Sequence, residues 1–198
     1  MFENIVHSIV DIVSELGYAG IVIMMFLEST FFPFPSEVVM IPAGMLAATG
    51  EMNIYVVILL GVTGSVLGAL FNFFLALKFG RIIVLKFGKY FFFREKELEK
   101  VEKFFHIHGA VSTFTGRLIP GIRQYISLPA GLAKMNVIVF AVFTALGAGI
   151  WSAVLALIGF YIGDDVEALH TALVWTLIAV TVLIMGYFIR YKIKKQNI

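Results

Sequence analysis

Residues 109–135 read GAVSTFTGRLIPGIRQYISLPAGLAKM. The stretch is apolar enough to enter a membrane. Yet Arg117 and Arg123 sit in its middle, and Pro120, Gly121, Pro129 and Gly131 deny it a continuous helix. An arginine at the bilayer centre costs at least about 2.5–3.5 kcal/mol on insertion scales. Broken backbone at that depth survives only when it is buried in protein or lines a cavity. Two arginines beside helix breakers therefore predict a protein-lined site.

The same device occurs earlier in the chain. Residues 33–44 read PFPSEVVMIPAG and residues 120–131 read PGIRQYISLPAG; in both, a proline is followed by eight residues and then Pro-Ala-Gly. Pro33 and Pro120, Pro42 and Pro129, Ala43 and Ala130, and Gly44 and Gly131 each lie 87 residues apart. The charges at related places are opposite, Glu28 and Glu37 in the first copy against Arg117 and Arg123 in the second. Paired Gly/Pro-interrupted apolar segments in two halves point to the binding site of a transporter.

Composition sets the medium. Of the 198 residues 60% are hydrophobic and the mean hydropathy is +0.96, well beyond the roughly half-apolar content of a soluble domain. An integral membrane protein of one domain is expected. Without cysteine there is no disulfide, thiol nucleophile or thiolate metal site. His7, His106, His108 and His170 are scattered, so no metal site is expected, and no cofactor is called for. A net charge of +2 gives nucleic-acid binding no support. The stretch MFENIVHSIV has neither a basic n-region nor a small-residue cleavage site, so no cleavable signal peptide is expected.

The predicted fold is an all-α integral membrane protein. Two inverted re-entrant helical hairpins face each other, with about three spanning helices and an N-terminal amphipathic helix. Residues 1–16 place Ile5, Ile9, Ile12, Val13 and Leu16 at helical spacing and form the amphipathic helix. Residues 17–50 form the first hairpin, broken at Pro33, Pro35 and Pro42; one long tilted helix over 5–32 is the alternative. Residues 54–77 span the bilayer, with Gly61, Gly64, Ser65 and Gly68 allowing close helix contact. Asn72 in that span reaches the site or bonds a neighbouring backbone. Residues 78–103 form a charged loop. Residues 104–135 form the second hairpin, broken at Pro120 and Pro129. Residues 137–163 and 171–190 span again. The loop 78–103 carries Lys78, Arg81, Lys86, Lys89, Arg94, Lys96, Lys100 and Lys103, and the tail carries Arg190, Lys192, Lys194 and Lys195. Basic residues mark the cytoplasmic side, so both are placed inside and the two hairpins enter from opposite faces.

The stretches FLESTFFPFPSEVVMIPAG, GVTGSVLGALFNFF, FTGRLIPGIRQYISLPAGLAKM and LGAGIWSAVLALIGFYIG cover most of the chain together with the charged loop. They resemble the DedA family, whose shared domain is also called the VTT or SNARE-associated domain. The carrying motif is F-x-G-R-x-x-P-G-x-R-x-x-x-S-x-x-A-G. The resemblance implies a translocase or scramblase of lipids. For bacterial members of this size it implies return of undecaprenyl phosphate across the cytoplasmic membrane, driven in some members by proton motive force. It maps the family's functional acids and arginines onto Glu28, Glu37, Arg117 and Arg123. Many members have a tyrosine where this chain reads Asn72-Phe73-Phe74, so no role is carried over there.

The chemistry fits that implication. A guanidinium stays charged and its planar fork matches phosphate oxygens bidentately. Arg117 and Arg123 are the expected phosphate ligands. Backbone N–H groups from Gly121 onward add an anion nest, and Gln124 and Ser127 are further donors unless they only bond backbone. Glu28 and Glu37 balance the arginines when no phosphate is bound, and one of them takes up the coupled proton; the residues do not say which. A static ion-pair network fixing the hairpins is the structural alternative, with Glu37 a helix-start acid. The expected partners are a lipid phosphate, undecaprenyl phosphate or a phospholipid, and the membrane; a homo-oligomer is left open. A proton-dependent ion or small-solute transporter, a scramblase of other lipid specificity and a scaffold are the rival readings. No nucleophile or metal cluster for a lipid-phosphate enzyme is apparent.

Overall fold

A computed structural model describes residues 16–30, 35–80, 95–119 and 122–162. Residues 1–15 of the expected amphipathic helix, the last spanning helix at 171–190, the basic tail and residues 81–94 of the expected loop 78–103 lie outside these residues. So do Pro33, Pro120 and Gly121. Every regular element among the described residues is helical: α1 (Tyr18–Ser29), α2 (Glu37–Ala48), α3 (Ile54–Leu75), α4 (Glu95–Leu118), α5 (Ser127–Leu132) and α6 (Val137–Ile162).

Among the described residues two helices are both long and apolar enough to cross a bilayer. With its π-helical end Ala76–Gly80, α3 forms one apolar rod over Ile54–Gly80, and α6 forms another over Val137–Tyr161. At 1.5 Å per residue each exceeds a hydrocarbon core of about 30 Å. Both start on an asparagine that accepts from the first free N–H groups: Asn53 Oδ1 from the Tyr55 and Val56 amides (2.9 and 3.4 Å), and Asn136 Oδ1 from the Ile138 and Val139 amides (2.9 and 3.1 Å). Capping removes unsatisfied donors where each helix begins. Both rods keep large apolar side chains outward, among them Leu59, Leu67, Phe71, Ile138, Leu146, Ile150 and Val154. A soluble core helix would bury these; lipid is the solvent that accepts them.

α1 and α2, twelve residues each, rise only about 18 Å, too short to cross. Before α1, Gly17 has φ +56°, a left-handed conformation that ends any helix arriving from residue 16. The long helix over 5–32 is therefore not formed. α1 closes at Thr30, whose amide and hydroxyl both donate to the Leu27 carbonyl (3.1 and 2.6 Å).

The prolines behave unequally. Pro35 lies in the break before α2. Pro42 does not break the chain; it sits inside α2, with only one amide hydrogen bond forfeited. Pro129 is the third residue of α5, where the amide has no intrahelical acceptor in any case. The boundary expected at residue 103 is not a structural one. α4 runs unbroken from Glu95 to Leu118 because no proline interrupts EKELEKVEKFFHIHGAVSTFTGRL, so the charged run and the apolar arm are one rod.

Each Pro-Ala-Gly packs on the other half's long helix. A Cβ on Gly44 would strike the Ala156 carbonyl of α6; a Cβ on Gly131, its equivalent in the repeat, would strike the Phe73 carbonyl of α3. α1 packs chiefly on α3, and α4 on α6. Gly61 faces Ser152, Val62 faces Gly149 and Phe73 stacks on Phe140 at 4.7 Å, so α3 and α6 run antiparallel. One apolar cluster joins Met25, Ile41, Val57 and Leu155, and a second joins Ala69, Phe73, Phe105, Ala130 and Phe140. Between them, midway along both long helices, lies a layer of buried polar groups.

Candidate functional site

Sequence-distant charges meet in that layer. Glu28 lies near the C-terminal end of α1 and Glu37 opens α2; both are buried, at 2% and 4% exposure, and Arg117 in the last turn of α4 is equally buried at 4%. Arg123, on the turn 122–126, ion-pairs with Glu28 through Nη2 and Oε1. The same Nη2 donates to Ser36 Oγ at 2.7 Å, and Trp151 Nε1 of α6 donates to that oxygen at 3.3 Å. The guanidinium also lies over the Trp151 ring, 5.3 Å from its centroid, within cation–π range. Ser29 Oγ donates to the other Glu28 oxygen at 3.2 Å.

Arg117 stands beside this cluster. Its Nη2 donates to Ser127 Oγ at 3.2 Å, across the turn that separates α4 from α5. Its Nε has no protein hydrogen-bond partner. Arg117 feels the charges of both Glu28 and Arg123, and Glu37 feels those of Arg123 and Glu28, so the four ions form one electrostatic group. A narrow cavity between Glu28, Ser65, Arg117, Arg123, Trp151 and Ser152 has space for about one water-sized group.

The depth of this group follows from helix geometry. Ser65 lies eleven residues into α3 and Ala148 eleven residues into α6, or about 17 Å from each helix start. That is close to the middle of a core of about 30 Å. Charges at such depth must find partners within the protein.

The family model for the VTT domain matches residues 34–161. The chain belongs to the VTT-domain, or DedA, family. A Bacillus subtilis relative named "Uncharacterized membrane protein YkoX" is 33% identical over 98% of this chain and 86% of its own length. Another from the same organism, named "Undecaprenyl phosphate transporter A", is 30% identical over 98% of this chain and 96% of its own. A Lactococcus lactis relative named "Alkaline phosphatase-like protein" is 35% identical over 80% and 77%. No solved structure matches the chain.

In this VTT domain the residues singled out in the sequence divide into those that converge and those that do not. Glu28, Glu37, Arg117, Arg123 and Ser127 come together. Gln124 is half-buried on the same turn and, among the described residues, accepts from neither arginine. Two members of the cluster are not apparent from the sequence. Ser36 reads there as the ordinary residue of a Pro-Ser-Glu turn, although it is the repeat equivalent of Arg123. Trp151 reads as a space-filling residue of a glycine-rich helix. Asn72 resolves differently from a substrate ligand: its Nδ2 donates to the Ser29 and Thr30 carbonyls, at 3.1 Å each. It thereby ties the end of α1, and with it Glu28, to α3. Replacing Asn72 by leucine leaves two buried carbonyls unpaired. It is expected to destabilise the protein by about 2 kcal/mol, read as a lower Tm in detergent.

Proposed function

We propose that the chain is a transporter of lipid phosphate across the bacterial cytoplasmic membrane, with undecaprenyl phosphate as the lipid. The observation that carries this reading is the ion pair of partly buried Arg123 with buried Glu28, joining opposite halves of the repeat with Arg117 alongside. Four ions at mid-depth have a task if an anion passes there. The name of the Bacillus subtilis transporter matched along nearly its full length supports the choice of lipid.

In this reading α1–α2 and α4–α5 are re-entrant segments entering from opposite faces, with the charged loop 78–103 and the C-terminus in the cytoplasm. The form described here is closed. Glu28 occupies the Arg123 position that a phosphate would take, and the remaining cavity is too small for a headgroup. Phosphate entry requires Glu28 to release Arg123. A proton arriving at Glu28 removes the charge that holds the pair, and the phosphate oxygens then accept from both guanidinium groups, whose planar forks suit them. Release on the far side restores the carboxylate and re-forms the pair. Glu37, which feels the charge of the same arginine, is the second acid through which the proton passes. Trp151 and Ser36 keep Arg123 oriented while its counter-ion changes.

The test is transport of labelled undecaprenyl phosphate in proteoliposomes with and without a pH gradient. Movement is expected to respond to the gradient in the wild type. In Glu28→Gln it is expected to lose that response, because the amide cannot bind the proton. Proton flux with no lipid movement would instead identify an ion or small-solute transporter.

A further inference from the structure

Two serines that no part of the mechanism above uses line the cavity beside the ion pair. Ser65 on α3 and Ser152 on α6 lie 87 residues apart, the spacing of the internal repeat. Both are buried, at 3% and 1% exposure, and both face the same cavity with Glu28, Arg117 and Arg123. Ser152 Oγ has no hydrogen-bond partner in the protein, and neither has Arg117 Nε. Buried donors are almost always satisfied, so two unpartnered ones on one polar cavity mark a place built for an acceptor.

The donors suit one kind of acceptor. A guanidinium N–H and hydroxyls converging from separate helices favour an anionic oxygen. The space admits a single oxygen-sized group, smaller than a whole phosphate. We propose that this cavity is an anion subsite taking one oxygen of a phosphomonoester, with Arg117 Nε, Ser152 Oγ and Ser65 Oγ as its donors. The proposal rests on the lipid-phosphate reading and deepens it. Arg123 and the outer nitrogens of Arg117 take the remaining oxygens, and the serine pair fixes how far the headgroup sinks between α3 and α6. Because the serines occupy equivalent repeat positions, the subsite lies on the internal axis and serves the headgroup from either face.

The experiment is equilibrium binding to the full chain in nanodiscs, with three probes: a short-chain polyprenyl monophosphate, the same polyprenol without phosphate, and inorganic phosphate as competitor. Ser152→Ala and Ser65→Ala are each expected to weaken monophosphate binding about tenfold, the effect of one hydrogen bond to a charged group, and to leave polyprenol binding unchanged. Ser152→Ala is also expected to keep or raise Tm, since it removes a buried hydroxyl that lacks a partner; a packing role would lower it. Should Ser152→Ala fail to fold, Ser65→Ala decides the matter alone. Inorganic phosphate that competes in the wild type but not in the alanine variants supports the subsite with the free anion as its ligand. Alanine variants that bind the monophosphate like the wild type overturn the subsite and leave the transport reading standing. A wild type that does not distinguish monophosphate from polyprenol overturns both.

Discussion

Arg123→Lys is expected to reduce lipid-phosphate transport by about a hundredfold or more. One nitrogen of Arg123 serves Glu28 and Ser36 together, while the flat guanidinium rests on the Trp151 ring. Lysine keeps the charge and loses the plane. Its ammonium cannot stack on the indole and offer two parallel donors to a phosphate at once. Loss of the second charge-assisted hydrogen bond and the stacking amounts to about 3 kcal/mol, or about a hundredfold. The protein should still fold, because the charge that neutralises Glu28 remains. Transport of undecaprenyl phosphate in proteoliposomes measures the outcome. If Arg123→Lys and Arg117→Lys both carried the lipid at the wild-type rate, bidentate phosphate binding would be wrong and the arginines would serve structure.

Gly44→Ala is expected to destabilise the protein by about 3 kcal/mol, the upper end of the cost of overpacking. Its new Cβ would overlap the Ala156 carbonyl, and Gly159 approaches the Ile41 carbonyl in the same closeness. Backbone stands on both sides of this contact, so no side chain can rotate away; α2 must lift from α6. Since α2 begins with Glu37 and follows Ser36, the lift also withdraws one acid and the serine from Arg123. Gly149→Ala is the control. Its Cβ would meet only Val62 Cγ2, at 3.7 Å, an ordinary contact, and alanine favours the helix by about 1 kcal/mol. Yields of folded protein and Tm in detergent should separate the two variants clearly.

These two positions show how differently the site and its frame are written in the chain. Gly44 belongs to a repeated Pro-Ala-Gly, and its recurrence 87 residues later is visible without coordinates. What the glycine is for is not visible. In a lone helix it would merely weaken the element; its purpose is the approach of a second helix more than a hundred residues away. Pro42 misleads in the opposite direction, since the rule that proline breaks helices ignores neighbours that hold the helix through one missing bond. Ser36 and Trp151 were illegible for a related reason. A serine after proline and a tryptophan among glycines have common local explanations, and only their meeting at Arg123 gives them another.

What the residues alone determined is the helical, bilayer-length character of α3 and α6, their starts at residues 54 and 137, and the concentration of opposite charges in two broken apolar stretches. These follow from local quantities: hydropathy, side-chain period and backbone freedom. Tertiary structure alone decided that Glu28, and not Glu37, is the direct partner of Arg123, that Arg117 turns to Ser127, and that Asn72 anchors α1. Such choices depend on distances of a few ångströms between segments far apart in sequence. Several pairings are chemically equivalent on paper, and only the packing of α2 on α6 and α5 on α3 selects among them.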